Sequence, residues 1–176
     1  MRNPWLDIPL RDYEGHMNSA NVAQLSALAD LFEEALTLCR PESVAILGIA
    51  GGNGLDRIDL HVTKRIVGID IQSGYLDTIR LRYPQLPLTL HCFDLEKDVI
   101  NGDSVALVHA AMIFEHAGTG QCLQSAASLV APGGHLAVVL HFRVRYNPTF
   151  RRPNSKPCNH SPSSSSSSTE QNYKKR

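Results

Sequence analysis

The sequence lacks the features that mark several large protein classes. Its four cysteines stand far apart and form no CxxC pair, so we expect neither a zinc or other metal site nor a disulfide framework, and we interpret them as reduced thiols. There is no apolar run of about 18 residues, the length that a membrane-spanning helix needs. The first residues, MRNPWLDIPLRDYEG, lack the basic and apolar regions of a signal peptide. We therefore predict a cytoplasmic protein without a membrane segment.

An excess of charge of one sign is also missing, because 17 Lys and Arg residues balance 17 Asp and Glu residues. The two signs are nevertheless separated along the chain: residues 143–176 contain 8 basic residues and 1 acidic residue. This segment also contains four of the ten prolines and the run SPSSSSSST. Such a composition has little apolar surface to offset the entropy of ordering, so we predict a disordered basic tail. Its charges are not interleaved with aromatic residues, and nucleic acid is not the expected partner.

The rest of the chain divides into an N-terminal segment, residues 1–20, and a folded domain, residues 21–142. Apolar residues at spacings of three and four predict an amphipathic helix over residues 21–40. Asn18, Ser19 and Asn21 are its candidate N-caps, and Pro41 follows its end. The polar, turn-rich opening before it has no predicted element.

Short apolar segments then alternate with helical stretches. Such alternation predicts a parallel sheet with helices on both faces, which is a doubly wound α/β domain. The predicted strands are residues 44–50, 65–70, 88–93, 105–110 and 136–140, and the predicted helices between them are residues 74–83 and 120–130.

Ligands of such sheets bind beyond the carboxyl ends of the strands, so the residues there are the candidates for a site. The first strand runs into a glycine-rich loop, residues 48–54, which would let a ligand approach the backbone closely. Asp70 ends the second strand, where a carboxylate could accept hydrogen bonds from a ribose, and Asp94 follows the third. Taken singly, each has a simpler interpretation as a tight turn, a solvated aspartate or a turn aspartate.

The order of these features is more specific than any one of them. The glycine loop, Asp70, Asp94, the segment Phe114-Glu-His116 and the later Ala-Pro-Gly-Gly turn, with their strands, follow one another along residues 44–140. In this order they resemble the class I S-adenosylmethionine-dependent methyltransferases. The resemblance implies a Rossmann-like methyltransferase fold with S-adenosylmethionine as the cofactor.

The resemblance also implies roles for individual residues. Ala50, Gly52 and Gly54 match the loop beside the methionine part of the cofactor. Asp70 matches the ribose-binding acid, and Ile71 the apolar neighbour of the adenine. The remaining matches are Asp94 and Leu95 at the adenine edge, Ala111 at the sulfonium end, and Tyr13 and His16 in an N-terminal segment that covers the cofactor in some members.

Two departures from the family pattern stand out. Gly48 occupies a cofactor-binding position where the family usually has an acidic residue, and Ala50 replaces the first loop glycine. Loss of that carboxylate is expected to weaken cofactor binding without abolishing it. In addition, nothing after Phe142 has the periodicity of the family's further helix and hairpin, so the sheet is expected to be truncated after its fifth strand. Its open edge would then need a partner or the tail to cover it.

The predicted function is transfer of a methyl group to an acceptor, with a small molecule as the favoured class. Glu115 and His116 are the candidates for a general base, although no catalytic residue is assigned. The alternative is a catalytically weak or inactive methyltransferase-like binding module. A nicotinamide-dependent oxidoreductase does not fit, because a G-x-G-x-x-G fingerprint starting at Gly52 would need a glycine where Arg57 stands.

Overall fold

The computed structural model describes residues 3–141, and a five-stranded parallel sheet forms the centre of this region. The strands lie in the order β3-β2-β1-β4-β5. Strands β2 and β3 are added on one side of β1, and β4 and β5 on its other side, so the order of addition switches between β1 and β4. The predicted doubly wound α/β class is thus confirmed. The predicted disordered tail, residues 143–176, and the predicted end of the sheet beyond residue 141 lie outside the described residues. The strands are β1 (Ser43–Leu47), β2 (Arg65–Asp70), β3 (Leu88–Cys92), β4 (Val105–Ala111) and β5 (Val130–Val139).

Helices cover both faces of the sheet, and β1 shows how the sequence achieves this. Its residues 44–47 are all at most 7% exposed, as expected for a central parallel strand. Alternate side chains enter different cores: Val44 and Ile46 pack with Phe32 and residues of α3, whereas Ala45 and Leu47 pack with α5. Within residues 3–141, no helix is long and apolar enough to cross a membrane. The helices are α1 (Leu10–Met17), α2 (Gln24–Cys39), α3 (Ser73–Arg82), α4 (Phe114–Ala117) and α5 (Gln121–Ser128).

The N-terminal part of the chain differs from the prediction in two respects. Residues 10–17 form α1, because Leu10, Tyr13 and Met17 lie at spacings of three and four despite the polar residues between them. The N-caps predicted for α2 are wrong. That helix starts only at Gln24, after Ala23 with φ of 48°, and no side chain caps it. Residues 19–23 instead form a turn in which the carbonyl of Ser19 accepts from the two N–H groups of residues 22 and 23.

The last strand is also longer than predicted. The Pro132-Gly-Gly segment, predicted as a turn before the strand, lies inside β5, where the pairing with β4 shifts register near Leu107. Proline is tolerated there because β5 is at the end of the strand order in the described region. Gly133 has a φ of 77°, and a Cβ at Gly134 would lie 2.8 Å from the carbonyl oxygen of Ala106. Two glycines therefore let this irregular strand pair with β4.

The first crossover, residues 48–64, is unusually poor in helix. A crossover between parallel strands usually contains an α-helix, but here the only helical segment is a 3₁₀ turn, Leu55–Arg57. Consequently α2 takes part in covering this face of the sheet, where it contacts β4, β5 and the 3₁₀ turn. The sheet beside β1 is therefore covered less completely by its own crossover than in a regular doubly wound fold.

Candidate cofactor site

A cleft lies at the carboxyl edge of the sheet, where β1, β2, β3 and β4 end. The space within it, including space open to solvent, is about 890 Å³. Most of the sequence-predicted positions line it. They are Tyr13, Gly48, Ala50, Asp70, Ile71, Asp94, Leu95 and Ala111.

Asp70 is the most deeply buried acidic side chain of the cleft, with 7% of the residue exposed. Its Oδ2 accepts from the backbone N–H of Ala50 at 2.8 Å, and its Oδ1 accepts from that of Gln72 at 2.9 Å. Burial raises the pKa of this carboxyl, and the backbone hydrogen bonds oppose part of the rise. Each oxygen of an ionised carboxylate has a second lone pair, so Asp70 can still accept two hydrogen bonds from a ligand.

Only the first half of the glycine-rich loop lines the cleft. Gly48 and Ala50 line the cleft, whereas Gly52 and Gly54 do not. Both of these glycines have a φ of 83°. A Cβ at Gly52 would lie 2.8 Å from the ring of Tyr83, and one at Gly54 would lie 3.0 Å from the ring of Phe32. The structure therefore gives Gly52 and Gly54 a packing role and does not bring them to the cleft.

Gly48, where the family has an acid, is closely packed against the end of β4. It has a φ of 69°, and an added Cβ would lie 2.8 Å from the Cδ1 atom of Ile113. A side chain at this position would have to displace Ile113 as well as adopt a strained backbone.

Asp94 has local partners as well as a place in the cleft. Its Oδ1 accepts from the N–H of Glu96 at 3.1 Å, and Lys97 donates to its Oδ2 at 2.6 Å. These bonds are those of a turn aspartate, which was the simpler interpretation of this residue. Leu95 next to it is 5% exposed. The apolar members of this side of the cleft, Ile71, Phe93 and Leu95, suit a flat heterocyclic ring.

The two candidate bases, Glu115 and His116, lie in the segment after β4 but have different surroundings. His116 lines the cleft, and its ring lies 4.6 Å from that of Trp5 in an edge-on arrangement. Glu115 is not part of the lining, and its Oε1 accepts from the backbone N–H of His141 at 2.6 Å. The geometry therefore keeps His116 as a candidate and gives Glu115 a structural contact.

The N-terminal segment borders the cleft, because Asn3, Trp5, Tyr13 and Met17 are among its lining residues. Gln72 Nε2 donates to the carbonyl of Trp5 at 2.8 Å, and the hydroxyl of Tyr75 donates to that of Ile8 at 2.7 Å. Tyr13 lines the cleft, but His16 is exposed and lies outside it. One turn along α1, the buried residue Met17 lines the cleft instead.

Sequence reasoning missed several lining residues. Gln72 and Tyr75 follow Asp70 closely, and their position after a strand end was the only available signal. Trp5 is the single tryptophan of the chain, yet nothing in the sequence shows that it contacts His116. Burial raises the pKa of Tyr75 to about 12, with a further contribution from the negative charge of Asp70. Its hydroxyl is therefore a donor at neutral pH.

Comparisons with known proteins identify the family. The family described as "Methyltransferase domain" matches residues 45–138, which is more than half of the chain. A comparison with curated protein sequences gives no match.

Solved structures with the same fold are distant in sequence. An N-methyltransferase, NodS, from Bradyrhizobium japonicum in complex with S-adenosyl-L-homocysteine has a TM-score of 0.65 at 16% identity, over 77% of this chain and 71% of that one. An amino pentose methyltransferase from Micromonospora echinaspora with bound S-adenosylmethionine has a TM-score of 0.57 at 18% identity, over 74% and 54%.

An S-adenosylmethionine-dependent methyltransferase from Clostridium acetobutylicum has a TM-score of 0.58 at 14% identity, and the match covers 73% of this chain and 56% of that one. The present chain thus spans little more than half the length of two of these three proteins. The predicted cofactor, S-adenosylmethionine, is confirmed as that of the family, and the chain belongs to the methyltransferase-domain family.

Proposed function

We propose that this chain binds S-adenosylmethionine in the cleft and transfers its methyl group to a small-molecule acceptor. The observation that carries the proposal is Asp70, a buried carboxylate with spare acceptor capacity at the end of β2. A nucleoside ribose has two adjacent hydroxyls that can donate to the two oxygens. Burial of such a charge without a ligand is costly, so a donor that pairs with it is strongly favoured.

The remaining residues of the cleft fit the other parts of the same cofactor. Ile71, Phe93 and Leu95 offer apolar surface for the adenine ring. Gly48 and Ala50 leave room for the methionine part, and Ala111 leaves room beyond β4. The cofactor supplies an already activated methyl group, so the protein's task is to align the acceptor and exclude water.

The N-terminal segment can perform the exclusion of water. Its contacts through Trp5 to His116 and through Ile8 to Tyr75 lie on two sides of the cleft. His116 is the side chain able to take a proton from an acceptor, if the acceptor must lose one. The site described here needs no further charged group for an acceptor with a free lone pair.

Calorimetric titration with S-adenosyl-L-homocysteine tests the proposal. We expect saturable binding that Asp70→Ala weakens at least roughly tenfold, from the loss of hydrogen bonds worth about 1.5–3 kcal/mol. Asp77→Ala is the matched control, because Asp77 is exposed on α3, where it pairs with Arg80. Thermal unfolding of both variants separates a lost ligand contact from a lost fold. Equal affinities of the two variants would contradict the site.

A binding module without activity is the second candidate. Gly48 favours it, since the acidic anchor of the family is absent and Ile113 lies against that position. Incubation with S-adenosylmethionine labelled on its methyl group, together with a panel of small amines and phenols, separates the two. Label recovered in a small-molecule product supports the enzyme, whereas cofactor binding without any transfer supports the module.

A further inference from the structure

The end of α3 holds the second half of the glycine-rich loop. Arg82 Nη1 donates to the carbonyl of Gly51 at 3.2 Å, and the hydroxyl of Tyr83 donates to the carbonyl of Gly52 at 3.3 Å. The first crossover has a 3₁₀ turn in place of an α-helix. Side chains of a neighbouring element therefore take part in fixing the shape of this loop.

The same arginine also holds the N-terminal helix. Both Nη atoms of Arg82 donate to the carboxylate of Glu14 in α1, and the distance from Nη2 to Oε2 is 3.0 Å. Bidentate, charge-assisted pairs of this kind are among the stronger hydrogen bonds of proteins, and they fix the relative orientation of their partners. The two residues are 68 positions apart in the chain. Arg82 thus joins α1, α3 and the glycine-rich loop at one point.

Gly51 is the residue that lets the ion pair lie against the loop. A Cβ added at Gly51 would overlap with Oε1 of Glu14 and would lie 2.9 Å from Nη1 of Arg82. Gly51 does not have a positive φ, so an alanine there would not be strained by a left-handed backbone. A methyl group at this position would therefore push the ion pair away from the loop and leave the backbone conformation allowed.

On the loop side, this connection leads to the cofactor cleft through Asp70. Gly51 is next to Ala50, whose backbone N–H donates to Asp70 Oδ2 at 2.8 Å. A movement of the Gly51 carbonyl turns the neighbouring peptide groups and so changes the direction of that N–H. Arg82 does not line the cleft. Its effect on a ligand of Asp70 would therefore pass through the loop.

On the N-terminal side, the connection leads to the aromatic residues of the cleft. Glu14 is next to Tyr13, which lines the cleft together with Trp5 and Tyr75. The ring of Tyr13 lies 6.4 Å from that of Trp5 and 6.3 Å from that of Tyr75. The position of α1 therefore determines where the rings of the N-terminal segment lie beside a ligand.

We propose that Arg82 is a positioning residue for the cofactor site. By holding Glu14 and the carbonyl of Gly51 together, it couples the N-terminal segment to the glycine-rich loop, so that both take their cofactor-binding positions as one unit. The effect on cofactor affinity rests on the proposed function, whereas the coupling of the segment to the loop does not. Because Glu14 and Arg82 act as a pair, loss of either has the same consequence as loss of both.

The fluorescence of Trp5 tests the coupling without any ligand. Trp5 is the single tryptophan of the chain, and its ring lies at the cleft. We expect Arg82→Met, which keeps an apolar stem, and Gly51→Ala to shift the emission to longer wavelength and to increase its quenching by acrylamide. Arg80→Met is the matched control, since Arg80 lies on the same helix and pairs with Asp77. Emission and quenching like those of the parent in either test variant would overturn the coupling.

Calorimetry with S-adenosyl-L-homocysteine tests the effect on the cofactor site. We expect Arg82→Met and Glu14→Gln each to weaken binding roughly three- to tenfold, which corresponds to part of the value of a charge-assisted pair. The double variant should bind no more weakly than Arg82→Met, because the second change removes nothing further. Arg82→Lys should recover part of the loss, since an ammonium can pair with Glu14 but cannot form the bidentate contact.

Three results would overturn the positioning role: additive losses in the double variant, no recovery in Arg82→Lys, or parent-like affinity of Arg82→Met. Thermal unfolding identifies a lost fold, and we expect little change, because the side chains of Arg82 and Glu14 are 40% and 28% exposed and exposed pairs contribute little to stability. If the parent protein failed to bind S-adenosyl-L-homocysteine, the proposed function would be contradicted, and the fluorescence of Trp5 would still decide the coupling.

Discussion

Two buried polar side chains of the sheet, Asp70 and His109, differ in how their hydrogen bonds are satisfied. Asp70 lies at the end of β2, where the backbone N–H groups of Ala50 and Gln72 donate to its two oxygens. His109 lies within β4 against Phe32, and its buried Nδ1 has no hydrogen-bond partner within residues 3–141. Strand ends offer free backbone donors, whereas the backbone inside a sheet is already paired. A polar side chain at a strand end therefore finds backbone partners that one within a strand does not.

The largest expected effect concerns the glycine-rich loop, residues 48–54, which continues from β1. Gly52→Val would force a branched residue into a φ of 83° and place its Cβ against Tyr83. We expect the free energy of unfolding to fall by about 2–5 kcal/mol, the sum of backbone strain and overpacking. Gly74→Ala is the control, since that glycine lies in α3 with no atom within 4 Å of an added Cβ, and helix propensity predicts a gain of about 0.5–1 kcal/mol. Chemical denaturation measures both, and equal stabilities would refute the packing role.

The next effect is the pH dependence of stability that the buried imidazole of His109 causes. The pKa of His109 is lowered from 6.5 to about 4 in the folded protein, so the unfolded chain takes up a proton first as the pH falls. The stability contributed by neutral His109 is complete above pH 6.5 and is lost between pH 6.5 and about pH 4. We expect the parent protein to lose about 3 kcal/mol more than His109→Phe over this window. Denaturation curves at several pH values measure the difference, and parallel losses would contradict the burial of a neutral imidazole.

A smaller pH effect is expected in the cofactor cleft. Only the ionised carboxylate of Asp70 can accept from both ribose hydroxyls, and burial raises its pKa above the ordinary value of 3.8. The affinity for S-adenosyl-L-homocysteine should therefore begin to fall on acidification at a pH above the usual aspartate range. The Asp70→Asn variant should bind more weakly and without this pH dependence. Calorimetry across the pH range of the folded protein checks it, and identical pH profiles would argue against contact with Asp70.

The smallest effect concerns the contact of the N-terminal segment with His116 at the cleft. Trp5→Ala removes the ring that contacts His116. We expect S-adenosyl-L-homocysteine to bind roughly three- to tenfold more weakly, since an aromatic contact of this kind contributes about 0.5–1.5 kcal/mol. Leu6→Ala, one residue further and outside the lining of the cleft, should have little effect. If Leu6→Ala weakened binding as much as Trp5→Ala, the contact of Trp5 with His116 would have no specific part in cofactor binding.

The sequence predicted those parts of the fold and site that depend on local pattern. The strands β1 and β2 read directly as apolar runs, although β1 ends at Leu47 and not at the predicted residue 50. Gly48 and Asp70, at the ends of these strands, both line the cleft. Parallel pairing then brings strand ends together without further information. The predicted start of α2 was wrong. Asn18, Ser19 and Asn21 are residues that often cap helices, but here they lie before or within a turn that precedes α2.

What escaped prediction depends on contacts between distant parts of the chain. The contact of Trp5 with His116 joins residues more than a hundred positions apart, and no periodicity encodes it. Gly52 and Gly54 match the family's loop, yet packing against Tyr83 and Phe32 decides their role. The burial of His109 without a partner for its Nδ1 within residues 3–141 was not predicted for the same reason, because in the sequence His109 looked like an ordinary member of an apolar strand.

A crystal structure of the protein with S-adenosyl-L-homocysteine would test the central claim, that the cofactor binds in the cleft at Asp70. The account predicts the ribose hydroxyls within hydrogen-bonding distance of Asp70 and the adenine against Ile71 and Leu95. A ribose away from Asp70 would contradict it.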